Sequence, residues 1–155
     1  MSNAFMMLGA KKERVEEEWI QGFLAMRPKT AMETVQAELT AINDQEAVME
    51  FDISDAARQP AGLLHGGVSM MISESVASMH AAWLCDLTAA APVGLDINGT
   101  HLRSATEGHV RATAKVLRLT RSFVFHEVFV ELIKEDGEEV LLSKIRISNY
   151  FRPHG

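Results

Sequence analysis

The sequence predicts an α+β domain in which a curled antiparallel sheet wraps around one long central helix, with an extra helix at the N-terminus. The segment Gly66 to Leu84 has helical length and is apolar on nearly every side. Closely linked segments with strand-like patterns follow it, and such strands pair antiparallel. A helix that is apolar all round needs cover on most sides, so the sheet must curl about it.

Size and composition predict a single domain. The chain has 155 residues, and we assign residues 11–155 to this domain and regard residues 1–10 as a disordered or tag-like N-terminus. A net charge of −6 without any basic block argues against a nucleic-acid partner. One cysteine, Cys85, rules out an internal disulfide, and no secretory leader is recognisable, so we expect a cytoplasmic protein. Glu74, together with several His and Ser residues, makes a membrane span costly.

Before the central helix, an amphipathic pattern predicts a helix from Lys11 to Met26 that Pro28 ends. Two strands are expected at Val35–Ile42 and Ala47–Ile53, with a turn between them at Asn43-Asp44 and a loop, Gln59–Gly62, after them.

After the central helix, strand patterns return. A strand is expected around Leu95 to His101, where Gly99 would leave room for a ligand. Further strands are expected at Val110–Leu117, Phe123–Ile133 and Leu141–Phe151, with a hairpin turn at Glu135–Gly137. In the last strand the residues predicted to share one face are Leu141, Ile145, Ile147 and Phe151.

Glu74 is the most informative residue of the chain. Between Gln59 and Cys85 no other residue is acidic or a Lys or Arg. A carboxylate inside a buried helix costs several kcal/mol unless it is solvated or paired, so we interpret Glu74 as the reactive group of an active site. The alternative is a structural carboxylate that pairs with a distant base such as Arg103.

The start of the central helix supplies candidate donors for a ligand. Gly66 and Gly67 place backbone N–H groups at the positive end of the helix dipole, where an oxygen that gains charge would be stabilised. A tight turn is the simpler use of the two glycines. His65 either donates to the ligand or caps the turn, and Gln59 either donates its amide or is an ordinary loop residue.

The spacing between these groups predicts a shared site. Eight residues at ~1.5 Å of rise separate Gly66 from Glu74 by about 12 Å along the helix, which is too far for both to act on one carbonyl. Two antiparallel helices related by a two-fold axis would solve this, so we expect a homodimer. Ser78 follows Glu74 by one turn on the same face and is placed to hold a water.

Other site chemistries find little support in the sequence. The histidines show no metal-ligand spacing, so we expect no metal ion, and no phosphate-binding glycine loop or dinucleotide motif predicts a cofactor.

The combined motif resembles that of hotdog-fold thioesterases of the PaaI-like type, the group that includes 1,4-dihydroxy-2-naphthoyl-CoA thioesterases. The resemblance is carried by Gln59, Leu-His-Gly-Gly from Leu64, Glu74, Ser78-Met79 and the stretch LDINGTHLRSATEG from Leu95. It implies hydrolysis of an acyl-CoA, either aryl or of short or medium chain length, in dimers that pair into tetramers. A non-catalytic acyl-CoA-binding protein of the same fold is the alternative.

The resemblance also implies roles for individual residues. Glu74 would be the nucleophile or general base, Gly66 would polarise the thioester carbonyl, and Ser78 would orient water. His65 and Gln59 would support the thioester or the water. The expected substrate-binding residues are His101, Met79 and Gly67. Coenzyme A would bind near Thr120, Arg121 and Ser122, where the sequence has no sharp motif.

Overall fold

The computed structural model describes residues 14–155, and the predicted tag-like residues 1–10 lie outside this range. Its helices are α1 (Glu16–Met26), α2 (Ala31–Thr34) and α3 (Gly66–Leu84), and a 3₁₀ turn spans Asp55–Ala57. Its strands are β1 (Glu38–Ile42), β2 (Glu46–Asp52), β3 (Ala90–His101), β4 (His109–Leu119), β5 (Phe123–Ile133) and β6 (Glu139–Pro153). The predicted α+β class and the bounds of the long helix are confirmed.

The strands form a six-stranded antiparallel sheet in the order β1-β2-β4-β5-β6-β3. The chain leaves β2, the second strand from one edge of the sheet, passes through α3, and returns at the opposite edge as β3. The predicted hairpin turn ends at Gly137, whose positive φ of 84° suits glycine. Helix α3 packs against the inner face of the curled sheet, where its core residues include Ile72, Val76 and Met79.

One face of α3 is not covered by the sheet of its own chain. Gly67 and Glu74 are exposed on this face, and Met70, Met71 and Ser78 are half-buried. The prediction that Glu74 is buried is therefore wrong for a single chain. The helix is apolar on nearly all sides, but the sheet of the same chain covers only the faces that do not carry Glu74.

Strand β3 borders this uncovered face as an edge strand, because among residues 14–155 it pairs only with β6. Leu95 lies at a register shift between Gly94 and Asp96, and its side chain is 59% exposed. Gly99 does not leave room for a ligand, contrary to expectation. A Cβ at Gly99 would lie 2.9 Å from the backbone oxygen of Lys144, so the neighbouring strand occupies that space.

Helix α1 packs across the C-terminal end of α3. The ring of Trp19 meets that of Trp83 edge to face, with 5.4 Å between centroids. The predicted start at Lys11 lies outside the described residues, and the helix begins at Glu16 because Val15 is extended. Arg14, just before it, donates to the carbonyls of Ala82 and Cys85 at the end of α3.

Two other boundaries differ from the prediction for local reasons. The first strand begins at Glu38 rather than Val35, because the short helix α2 precedes it and Gln36 has a positive φ of 54°. In β6 the buried leucine is Leu142 rather than Leu141. A register shift opposite Val130 and Glu131 inserts one residue and changes which side chain points inward.

Candidate active site

The N-terminus of α3 presents an unpaired backbone donor. His65 is the N-cap residue, and its Nδ1 accepts a hydrogen bond of 2.8 Å from the N–H of Gly67. Because Nδ1 accepts, the ring hydrogen of neutral His65 is on Nε2, where it can donate to a ligand. The N–H of Gly66 makes no hydrogen bond with any residue in 14–155. Of the two glycines, Gly66 is therefore the one whose N–H is free to polarise a carbonyl oxygen.

A small cavity of about 190 Å³ lies beside this helix terminus. Its lining includes Gln59, Gly66, His101, Arg103 and Ser143. The Oε1 atom of Gln59 accepts from the N–H of Ala61, which leaves the side-chain NH₂ as the group that can donate to a ligand.

The imidazole of His101 is held directly against Gly66. Its Nδ1 lies 2.8 Å from Oγ of the buried Ser143, and its Nε2 would be 2.6 Å from a Cβ at Gly66. A side chain at position 66 would therefore have to displace the His101 ring, whereas the φ of Gly66 itself is not positive.

A second group of polar residues lies further along α3. If Gly94 of strand β3 carried a Cβ atom, that atom would lie 3.1 Å from Oε1 of Glu74. One turn later, Oγ of Ser78 accepts a hydrogen bond of 3.3 Å from Nδ2 of Asn149 in β6. Gly94 and Asn149 are register partners, so the β3–β6 pair underlies both Glu74 and Ser78.

The single chain therefore carries two half-sites, and it does not bring all the predicted residues together. Gln59, His65, Gly66 and His101 lie at the start of α3, whereas Glu74 lies about two turns and Ser78 about three turns further along the helix. Glu74 forms no salt bridge with any residue in the described range. The structural alternative fails, because the guanidinium of Arg103 donates to the carbonyl of Leu141 instead.

The remaining predicted ligand contacts are less well placed in one chain. Met79 is 5% exposed and packs in the core, whereas Met70 and Met71 are half-buried on the uncovered face. Thr120, Arg121 and Ser122 form the turn between β4 and β5, where the Thr120 hydroxyl oxygen accepts from the N–H groups of Ser122 and Phe123. Arg121 is exposed at this turn. Their roles toward the acyl group and coenzyme A stay predictions.

Sequence reasoning missed Gly94, Ser143 and Asn149. Asn149 had a usable signal, because it interrupts the apolar inward face of the last strand between Ile147 and Phe151. Gly94 and Ser143 had none, since their roles depend on the approach of a side chain from another element.

Two buried histidines, His80 on α3 and His126 on β5, face each other away from these half-sites. Nε2 of His126 is 3.0 Å from Nδ1 of His80, and Nε2 of His80 is 2.8 Å from the carbonyl of Asn43. Burial lowers the pKa of His126 to about 3, helped by the neighbouring His80, and burial also lowers the pKa of His80. Nδ1 of His126 is buried and makes no hydrogen bond within residues 14–155.

Residues 14–155 contain neither a cluster of metal-ligating side chains nor a helix suited to cross a membrane. No set of three or more His, Cys, Asp or Glu side chains is grouped to bind a metal ion there. None of the helices in that range combines the length and apolarity that crossing a bilayer requires.

Comparison with known proteins places this chain in a family. Residues 61–141 match the profile of the Thioesterase superfamily, so the chain belongs to that superfamily. The chain is 37% identical over 105 residues to 1,4-dihydroxy-2-naphthoyl-CoA hydrolase of Escherichia coli, covering 67% of this chain and 74% of the relative. The resemblance found in the sequence motif is confirmed.

Solved structures agree with the fold. Thioesterase HI1161 from Haemophilus influenzae superposes with a TM-score of 0.77 at 26% identity, covering 91% of this chain and 92% of that one. A mutant of thioesterase PA1618 from Pseudomonas aeruginosa gives a TM-score of 0.80 at 24% identity, with coverages of 87% and 94%. The long helix in a curled antiparallel sheet is thus the hotdog fold expected from the sequence.

Proposed function

We propose that this protein hydrolyses acyl-CoA thioesters at a site shared by two subunits, with Glu74 as the attacking carboxylate or the general base. The observation that carries the proposal is the division of the site within one chain. The free N–H of Gly66 and the carboxylate of Glu74 lie on one helix, about 12 Å apart along its axis. Each half-site is open toward the outside of the chain, where a second copy can supply the other half.

The edge strand supports pairing of two copies. A long exposed edge strand is an open template for a further strand, and proteins ordinarily cover such an edge. β3 has 12 residues, and its exposed positions include Leu95 and the backbone of Gly94. Two-fold pairing along β3 would extend the sheet and bring the uncovered faces of the two α3 helices together in antiparallel orientation. Pairing of such dimers into tetramers, as the resemblance implies, is part of the proposal.

In the proposed reaction the thioester carbonyl oxygen receives hydrogen bonds from the Gly66 N–H, with the Gln59 amide and His65 Nε2 as further donors. The Glu74 carboxylate of the other subunit attacks the carbonyl carbon, or removes a proton from a water that attacks it. In both routes the C–S bond breaks, and the coenzyme A thiolate leaves and takes up a proton. If Glu74 attacks directly, the acyl–Glu74 anhydride is then cleaved by water, which releases the free acid and regenerates the carboxylate. If Glu74 is the base, the water adds to the carbonyl carbon directly and supplies the hydroxyl of the acid. Ser78 orients this water.

We propose that the preferred substrate is an acyl-CoA with an aryl acyl group. Acyl-CoAs with short- and medium-chain acyl groups are the second substrate class that we propose. The aryl group is favoured because the E. coli relative is named for an aromatic acyl-CoA. His101 and the half-buried Met70 and Met71 would contact the acyl group, and the turn at Thr120–Ser122 would contact coenzyme A. We propose the cytoplasm as the compartment, consistent with the single cysteine.

The test is a free-thiol assay with Glu74→Gln on a panel of aryl and aliphatic acyl-CoAs. Loss of the attacking group should lower kcat by about 10³-fold or more while the fold and acyl-CoA binding are kept. Glu107→Gln is the matched control, because Glu107 is an exposed carboxylate outside both half-sites. Near-parental turnover in Glu74→Gln would reject the role of Glu74. Binding of acyl-CoA with no turnover by the parent protein would favour the non-catalytic alternative.

A further inference from the structure

Asn149 is a polar residue in the core of the protein. It lies on the inward face of β6, is 0% exposed, and pairs in register with Gly94 on one side and Val124 on the other. The neighbouring inward residues of β6, Ile147 and Phe151, are apolar and buried. An amide in such a position is unfavourable unless its polar atoms are hydrogen-bonded.

The amide is only half satisfied. Its Nδ2 donates to Oγ of Ser78 at 3.3 Å, whereas its Oδ1 is buried and makes no hydrogen bond within residues 14–155. A leucine, whose side chain has the same heavy-atom branching, would leave no polar atom unpaired among these apolar neighbours. The stability of the fold therefore gives no reason for an amide at position 149. We explain the amide by its hydrogen bond to Ser78.

Ser78 differs from the other serine on the uncovered face of α3. The hydroxyl of Ser75 donates to the carbonyl of Met71 at 2.8 Å, which is the usual hydrogen bond of a serine inside a helix. Ser78 makes no such bond within the described chain. The Oγ atom of Ser78 accepts a hydrogen bond from the side-chain N–H of Asn149, so the hydroxyl hydrogen of Ser78 can donate to another group. Glu74 lies one helical turn away on the same face.

We propose that Asn149 is a positioning residue that fixes the hydroxyl of Ser78 as a donor toward the water and carboxylate at Glu74. This inference rests on the proposed function. Asn149 contacts no substrate. It acts through Ser78, so its effect must disappear when the Ser78 hydroxyl is removed.

The test is a double-mutant cycle of Asn149→Leu and Ser78→Ala, with kcat and KM measured on one good acyl-CoA substrate. Asn149→Leu should lower kcat about three- to tenfold, the rate equivalent of one hydrogen bond, and leave KM within about twofold. In the Ser78→Ala background the same change should alter kcat by less than about 1.5-fold. Val124→Ala is the matched control, because it loosens packing beside Asn149 without touching the hydrogen bond. It should lower stability and leave kcat unchanged.

Two results would overturn the inference. One is a folded Asn149→Leu protein with parental kcat, and the other is an equal loss of kcat with and without the Ser78 hydroxyl. If Asn149→Leu does not fold, Asn149→Ala enters the same cycle, since it adds no volume. Glu74→Gln on the same substrate tests the proposed function separately. If Glu74→Gln is inactive but the effects of Asn149→Leu and Ser78→Ala on kcat simply add, only the role of Asn149 is rejected.

Discussion

The carboxylate of Glu74 lies directly against Gly94, so that a Cβ at Gly94 would approach Oε1 to 3.1 Å. The acid on the central helix is thus backed by the edge strand of the sheet. Since β3 is also one of the two edge strands of the described sheet, the proposed reactive group lies against a strand that a second subunit could extend.

Gly94→Ala tests this contact. The added methyl group must displace the end of the Glu74 side chain by a few tenths of an ångström, so we expect kcat to fall by about tenfold with little change in stability. Steady-state kinetics and thermal unfolding measure the two effects. Gly99→Ala is the contrasting variant, because its methyl group would meet the backbone of Lys144. It should lower the melting temperature instead. A Gly94→Ala protein with full activity would show that the contact does not position Glu74.

Gly66→Val tests the approach of His101 to the helix terminus. A Cβ at Gly66 would lie 2.6 Å from Nε2 of His101, so the imidazole must leave its place beside Ser143. We expect kcat/KM to fall by about 10²-fold, because a displacement of about 1 Å near reacting groups has effects of this size. Circular dichroism and thermal unfolding verify that the variant folds. Parental kinetics in a folded Gly66→Val protein would contradict a role for this terminus.

The pair His80–His126 predicts a pH dependence of stability. The pKa of His126 is lowered by burial to about 3, compared with about 6.5 in the unfolded chain. Between these values the unfolded state binds more protons than the folded state. The free energy of unfolding should therefore decrease as pH falls below about 6.5, by up to about 1.4 kcal/mol per pH unit from this residue.

Urea denaturation between about pH 4 and pH 8, a range that begins above the folded pKa and extends beyond the unfolded one, measures this dependence. His126→Phe removes the titrating ring, so the slope of stability against pH in the acid range should become shallower. Equal slopes for the variant and the parent would show that His126 does not stay neutral in the folded protein.

Arg14 links the N-terminal helix to the end of α3. Its guanidinium donates to the carbonyls of Ala82 and Cys85 and lies over the ring of Trp19, 5.0 Å from the centroid. Arg14→Ala should reduce the free energy of unfolding by about 1–3 kcal/mol, because it leaves helix-terminal carbonyls without these donors. Arg14→Lys, which keeps the charge but not the forked geometry, should recover part of the loss. Equal stability of all three proteins in urea denaturation would contradict this link.

Periodicity in the sequence was sufficient for most of the fold. The bounds of α3 and β5 are as predicted, because strong apolar patterns and the Gly66-Gly67 and Glu135–Gly137 signals mark them. The predicted start of β1 was wrong, and so was the prediction of Leu141 rather than Leu142 as the buried leucine of β6. The start of β1 depends on the positive φ of Gln36, and the buried leucine depends on a register shift between β5 and β6. Neither feature changes the periodic pattern of apolar residues in the sequence.

The candidate site was predicted in part. The types and spacing of Gln59, His65, Gly66 and Glu74 indicated the chemistry before any contact was known. The exposure of Glu74 was not foreseen, because an all-round apolar helix gives no sign of which face its own sheet leaves open. The supports beneath it, Gly94 and Asn149, come from strands distant in sequence, and only the β3–β6 register brings them under α3.

Subunit mixing tests the shared site most directly. Glu74→Gln and Gly66→Val proteins, each expected to keep about 1% of parental activity or less alone, are unfolded together, refolded at equal concentration and assayed for thioester hydrolysis. A hybrid dimer would contain one site with both parental residues, so the mixture should regain about a quarter of parental activity. If both variants refold and form hybrids but the mixture stays as inactive as its components, Glu74 and Gly66 do not meet across two subunits, and the proposed mechanism is wrong.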